Sequence, residues 1–197
     1  AQSLVQSIQA RWPDVAVSDT EVPKRDWALA WREFFTAVPC GQDFIVIAPW
    51  MSEEQPYPDR IPIIIEPKTA FGTGHHPTTA LCLEVLSNLF RQGRVGKGGR
   101  FLDLGTGSGI LGLGAAKLGL TGVGVDIDPL AEENARENKE INQVGDEFQV
   151  AVGSVEVLEG LVGDERFDLV LANILAEPLV ALAPEITARV KDSGSLV

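Results

Sequence analysis

The segment Asp103-Leu-Gly-Thr-Gly-Ser-Gly109 sets three glycines at alternate positions directly after an apolar run that ends in an acid. A second apolar run ends in another acid, Asp126, 21 positions after Gly105, and Ile127-Asp-Pro129 follows it. Glycines between a strand and a helix let the backbone turn sharply and approach a ligand closely. The helix opening there, near Ile110, aims free N–H groups and a positive dipole end at the same place. An acid ending the next strand can accept hydrogen bonds from both hydroxyls of a ribose. Together they read as a nucleoside site. A dinucleotide fingerprint would need a further glycine three positions after the second, where Ile110 stands. An acid followed by Gly-x-Gly-x-Gly points instead to S-adenosylmethionine. The expected cofactor contacts are therefore Asp103, Gly105, Gly107, Gly109 and Asp126, with Ile127 beside it. Asp128 is placed as the N-cap of a helix starting at Pro129.

Two further segments carry chemistry. Phe167-Asp-Leu-Val-Leu-Ala-Asn173 is an apolar strand ending in an amide, where the reacting end of the ligand should lie. The Asn173 amide and the Ile174 carbonyl could accept hydrogen bonds from an amine and orient its lone pair; capping the following helix is the alternative role for Asn173. Glu66-Pro-Lys-Thr-Ala-Phe-Gly-Thr-Gly-His-His-Pro-Thr-Thr79 is too polar and glycine-rich for a core element. It reads as a lid leading into a helix capped by Thr78 or Thr79, with Phe71 available to stack on adenine or to close over a sulfonium. No metal-ligand spacing surrounds His75 and His76, and Gly107-Ser-Gly109 lacks the flanks of a nucleophile elbow.

The elements that must hold these residues can be read from periodicity. Strands are expected at 101–104, 121–126, 148–152 and 167–172, alternating with helices at about 109–118, 129–141 and 176–190. Such alternation predicts an α/β, Rossmann-like fold, a mostly parallel twisted sheet with helices on both faces and ligands at the carboxyl ends of the strands. Ahead of it, Leu4, Val5 and Ile8 suggest a helix and Val15-Ala-Val17 a short strand. Trp27 and Trp31 share a helix face, and Phe44–Ile47 and Ile61–Ile65 read as strands, the latter at an edge because of Pro62. Apolar residues at 81, 82, 85, 86 and 89 give a helix over 78–90. The final Ser193-Gly-Ser-Leu-Val197 reads as a turn into a strand cut short, so the fold is expected to be truncated at both ends.

With 197 residues, 45% of them apolar, the chain has the composition of a globular protein without a membrane span or secretory signal. Cys40 and Cys82 stand alone, which argues against a disulfide framework and fits the cytoplasm. A net charge of -12 opposes direct nucleic-acid binding and favours a basic partner.

The segments Glu66–Thr79, Asp103–Ile110, Gly124–Pro129 and Ala172–Ala176 together closely resemble the ribosomal protein L-eleven methyltransferases, the PrmA family. Three of these are shared by class I methyltransferases at large; Phe71-Gly-Thr-Gly-His-His-Pro-Thr-Thr79 is more specific, and Asp26-Trp-Ala-Leu-Ala-Trp31 is similar to the family's linker. The resemblance implies transfer of methyl groups from S-adenosylmethionine to lysine side chains and the N-terminal amine of a large-subunit ribosomal protein; the chain is expected to act as a monomer without membrane attachment. It implies cofactor contacts at Thr79, Gly105, Asp126 and Asn173, with Phe71 and His76 in the closing loop. It divides the chain into the tail of a substrate-recognition domain (1–22), a linker (23–60) and a methyltransferase domain (61–197) lacking its C-terminal strands. Direct displacement without an obligatory general base is the implied mechanism. Rival readings are a methyltransferase for a nucleic-acid base or a protein glutamine, which would be expected to follow Asn173 with two prolines and an aromatic residue where Ile174-Leu-Ala176 stands, a cofactor-binding module without turnover, and a nicotinamide-dependent dehydrogenase.

Overall fold

Alternating apolar runs and helical stretches build two sheets. The structure, a computed structural model, describes residues 2–17, 35–53, 57–67 and 76–197. Trp27, Trp31, Phe71 and His75 lie outside the described residues. The chain divides into two compact units, 1–35 and 36–197. In the first, α1 (Gln2–Arg11) is followed by irregular backbone at Val15–Val17, where a short strand is expected from the sequence.

The second unit opens with a three-stranded sheet of β1 (Val38–Cys40), β2 (Phe44–Ile47) and β3 (Ile61–Ile64) in that order. β1 runs antiparallel and β3 parallel to the wholly buried β2. Pro62 lies on the edge strand, as its missing N–H requires. Ile61 and Ile65 donate to the β2 side, to the Asp43 and Ile47 carbonyls, so Pro62, Ile64 and Glu66 face the other way.

α2 (Pro77–Arg91) leads to the main sheet. Its strands and helices follow as β4 (Arg100–Leu104), α3 (Ile110–Lys117), β5 (Thr121–Asp126), α4 (Pro129–Ile141), β6 (Phe148–Val152), α5 (Leu158–Val162), β7 (Phe167–Leu171), α6 (Ala176–Ala181), α7 (Ala183–Arg189) and β8 (Val190–Leu196). The order is β6-β5-β4-β7-β8, parallel throughout. This is the α/β architecture expected from the sequence. Strand order reverses direction at β4, so the crevice above β4 and β7 is the switch point where such sheets bind ligands.

Each face of the sheet carries its own core. Phe101, Leu169 and Leu171 pack with α2, α3 and the small sheet; Leu102, Leu104, Val123, Val125 and Val170 pack with Leu158 of α5 and Ile186 of α7. This two-sided burial explains why the strands read as continuous apolar runs. The Phe148 ring occupies the space left free at Gly112 and Gly124, where an added Cβ would come within 2.3 Å and 2.8 Å of it.

Three further expectations change. The stretch 176–190 is two helices, because Pro184 opens the second one. The residues expected to turn at 193–195 belong to β8, which runs Val190–Leu196 beside β7. Its offset from β7 grows from 23 (Phe167 with Val190) to 26 (Leu169 with Ser195), a bulge of three residues taken up near Gly194. α2 turns Thr79, Leu83, Leu86 and Ser87 inward, whereas Leu81 and Val85 are exposed. No helix among the described residues is long and apolar enough to cross a membrane.

Candidate functional site

The carboxyl ends of β4, β5, β6 and β7 border a cleft of about 650 Å³. It brings together His76, Thr79, Asp103, Gly105, Gly107, Asp126, Ile127, Asn173 and Ile174, nine of the residues singled out from the sequence. Gly109 is not in its wall, and Phe71 is outside the described residues. Gly153, Ser154, Leu175, Pro178 and Leu182 line the cleft as well and were missed. Gly153 and Ser154 follow β6, and that position alone would have marked them; the α6–α7 residues carry no motif.

The glycine turn is built from within. Gly105, Gly107 and Gly109 all have positive φ, at 70°, 53° and 81°. An added Cβ at Gly105 would meet Ile174 Cγ2 at 2.2 Å, and one at Gly109 would meet Ala135 Cβ at 3.1 Å. At these two positions glycine is therefore required by backbone conformation and by protein packing, where the sequence suggested room for a ligand.

Two carboxylates hold the turn's N–H groups. Asp126 Oδ2 accepts from Gly107 N at 2.8 Å, and its Oδ1 accepts from Asp128 N at 3.0 Å. Asp103, 1% exposed, accepts from Thr106 Oγ1 at 2.7 Å and from Gly112 N at 2.9 Å through Oδ2. Gly109 is the N-cap of α3 and has no side chain, so Asp103 supplies the missing acceptor to the first turn of that helix. The helix end expected to offer free donors to a ligand is thus partly satisfied internally. Asp128 caps α4, accepting from Leu130 N at 2.9 Å, as its position predicts.

Burial pushes the Asp103 carboxyl up from the ordinary 3.8 to about 6; the Thr106 and Gly112 hydrogen bonds oppose the rise and the charge of Asp126 adds to it. The native state therefore holds this proton to higher pH than the unfolded chain, and stability falls as pH rises through the window from about 4 to 6. Between pH 5 and 8 the wild-type chain should lose on the order of 1–1.5 kcal/mol through this group. Asp103→Asn, whose side chain does not titrate, should lack that slope. Urea unfolding of both proteins at the two pH values measures it, and parallel profiles would contradict it.

His76, and neither Thr78 nor Thr79, caps α2: its ring accepts from Thr78 N at 3.3 Å and lies 2.7 Å from Thr78 Oγ1. Thr79 is wholly buried and receives a 3.0 Å hydrogen bond from Asn173 Nδ2. The N-cap of α6 is Leu175, so Asn173 is not a helix cap. Its amide is oriented across the cleft wall by Thr79.

The family model described as Ribosomal protein L11 methyltransferase (PrmA) matches residues 2–197. The chain belongs to the PrmA family. A Pelobacter propionicus relative named ribosomal protein L11 methyltransferase is 42% identical over 177 residues, covering 89% of this chain and 55% of its own. One of the same name from an Exiguobacterium species is 39% identical over 185 residues, covering 93% and 55%. The chain thus spans just over half the length of these PrmA relatives. Among solved structures, a ribosomal protein L11 methylase from Lactobacillus delbrueckii subsp. bulgaricus aligns with a TM-score of 0.66 and 29% identity over 82% of this chain and 78% of that one. A T. thermophilus 16S rRNA methyltransferase in complex with AdoMet (S-adenosylmethionine) and guanosine aligns with a TM-score of 0.54 and 29% identity over 64% and 35%.

Proposed function

We propose that this chain binds S-adenosylmethionine in the cleft and transfers its methyl group to lysine and N-terminal amines of ribosomal protein L11, acting as a cytoplasmic monomer without direct nucleic-acid contact. The charge pattern of the cleft carries the reading. Among the described residues its wall contains Asp103 and Asp126 and no Lys or Arg. The turn's N–H group at Gly107, on the cleft wall, is held by Asp126, and the Gly112 N–H in the first turn of α3 by Asp103, so neither is left for a pyrophosphate. Such a cleft favours a cationic nucleoside over a phosphorylated one.

The residues present fit S-adenosylmethionine. Asp126 is placed to accept from ribose hydroxyls while keeping its two backbone donors. Ile127, 78% exposed at the cleft wall, offers an apolar face beside it. When bound, the cofactor supplies an electrophilic methyl group on a positively charged sulfur. Asn173 donates to Thr79, which leaves Oδ1 to accept from the substrate amine and point its lone pair inward. Burial at the apolar lip formed by Ile174, Leu175 and Pro178 lowers the amine's pKa from about 10.4 and assists deprotonation, so no side chain need act as an obligatory base.

Calorimetric titration with S-adenosylmethionine and with NAD tests the ligand: heat from the first alone supports the reading, and heat from NAD alone overturns it. Thr79→Val removes the acceptor that orients Asn173. It should lower turnover about tenfold with cofactor affinity within about threefold of wild type, since one neutral hydrogen bond is lost. Single-turnover kinetics beside the titration separates the two; equal losses in both would assign Thr79 to cofactor binding.

A further inference from the structure

We propose that Asn138 is a positioning residue that fastens the glycine turn of the cleft to the edge of the small sheet. It is fully buried on α4, outside the cleft wall. Its Nδ2 donates to the Ser108 carbonyl at 2.9 Å, inside the glycine turn, and its Oδ1 accepts from Glu66 N at 2.9 Å, just past β3. One turn further on, at the C-cap of α4, Asn142 takes over the neighbouring edge group. Its Oδ1 accepts from Ile64 N at 2.9 Å, and its Nδ2 donates to the Ile64 carbonyl at 2.6 Å and to the Asn138 carbonyl at 2.8 Å.

The two amides complete an edge that would otherwise be unpaired. The outward positions of β3 and its extension are Pro62, which has no N–H, Ile64, served by Asn142, and Glu66, served by Asn138. A half-buried edge strand needs such partners. The Asn142 side chain bonds the edge and its own helix. Of the two amides, Asn138 is the one that also holds the Ser108 carbonyl, whose neighbour Gly107 donates to Asp126 and whose other neighbour, Gly109, opens α3. One side chain therefore fixes the carbonyl in the middle of the turn and the point where the chain leaves β3 toward His76. Buried amides with both ends engaged are high-stakes groups, since each partner is left unsatisfied if the amide is removed.

The effect on the turn stands by itself; the effect on affinity rests on the reading of the cleft as an S-adenosylmethionine site. Amide hydrogen exchange followed by NMR, without ligand, addresses the first. In Asn138→Ala, the Gly107 and Gly109 amides should exchange about tenfold faster than in wild type, with Val123 and Val125 unchanged. Asn138→Leu, which keeps the volume, gives the same readout should the alanine variant fail to fold. Titration with S-adenosylmethionine addresses the second: affinity should fall about tenfold in Asn138→Ala and stay within about threefold in Asn142→Ala. Unchanged Gly107 and Gly109 exchange in a folded Asn138 variant overturns the proposal, as does an equal loss of affinity in the Asn138 and Asn142 variants. Faster exchange with no binding in wild type supports the fastening of the turn and overturns the ligand reading instead.

Discussion

Asp126→Ala should weaken S-adenosylmethionine binding by about a hundredfold or more, the largest effect expected of a single side chain in the cleft. Hydrogen bonds to a charged group contribute about 1.5–3 kcal/mol each, and the proposed site gives this carboxylate both ribose hydroxyls. The substitution also frees Gly107 N and Asp128 N, which Asp126 holds at 2.8 Å and 3.0 Å, so the turn loses an anchor along with its ligand contact. Asp126→Asn should fall between the two: it keeps one acceptor and presents an amide NH₂ where the second oxygen received a donor. The side chain is half-buried, so both variants should fold. Calorimetry on the three proteins ranks them, and affinity in Asp126→Ala within threefold of wild type would remove this residue from the site.

Gly105→Ala should destabilise the fold by about 2–5 kcal/mol. At a φ of 70° a side chain costs about 1–2 kcal/mol. The added Cβ would also sit 2.2 Å from Ile174 Cγ2, and overpacking of this kind costs about 1–3 kcal/mol. The two contributions can be separated, because only the second depends on Ile174. In Gly105→Ala/Ile174→Ala the overlap is gone while the strain remains, so the double variant should be about 1 kcal/mol or more stabler than the sum of the single losses. Denaturant unfolding of the four proteins measures this, and simple additivity would mean that the backbone at 105 moves away from Ile174 without cost.

The same contact marks how far the sequence could be read. The positions of Asp103, Gly105, Gly107, Asp126 and Asn173 at strand ends were legible, because apolar runs and glycine spacing fix where strands stop. The reason for the glycines was not. Nothing near Gly105 in the chain announces that Ile174 fills the space beside it, or that Ala135 does so at Gly109. Asp103 was legible as an acid before the turn, but its task of capping α3 depends on a helix that opens with a residue lacking a side chain. The apolar spacing in α2 suggested a face through Leu81 and Val85, yet the helix buries Thr79 and Ser87, which are polar and invisible to a hydrophobic pattern. Thr79 is inward because it meets Asn173, and Ser87 because it donates to Asp43 at 2.6 Å. The break between α6 and α7 was available at Pro184. The bulge in β8 was not, since it arises from pairing with β7.

Intact-mass spectrometry of purified L11 incubated with this chain and S-adenosylmethionine tests the proposed methyl transfer to L11 amines most directly. L11 should become heavier by whole methyl groups, on lysine and N-terminal amines when the products are fragmented, with the increments nearly absent in Asn173→Ala. L11 of unchanged mass, with a chain that binds S-adenosylmethionine in the same tube, would contradict it.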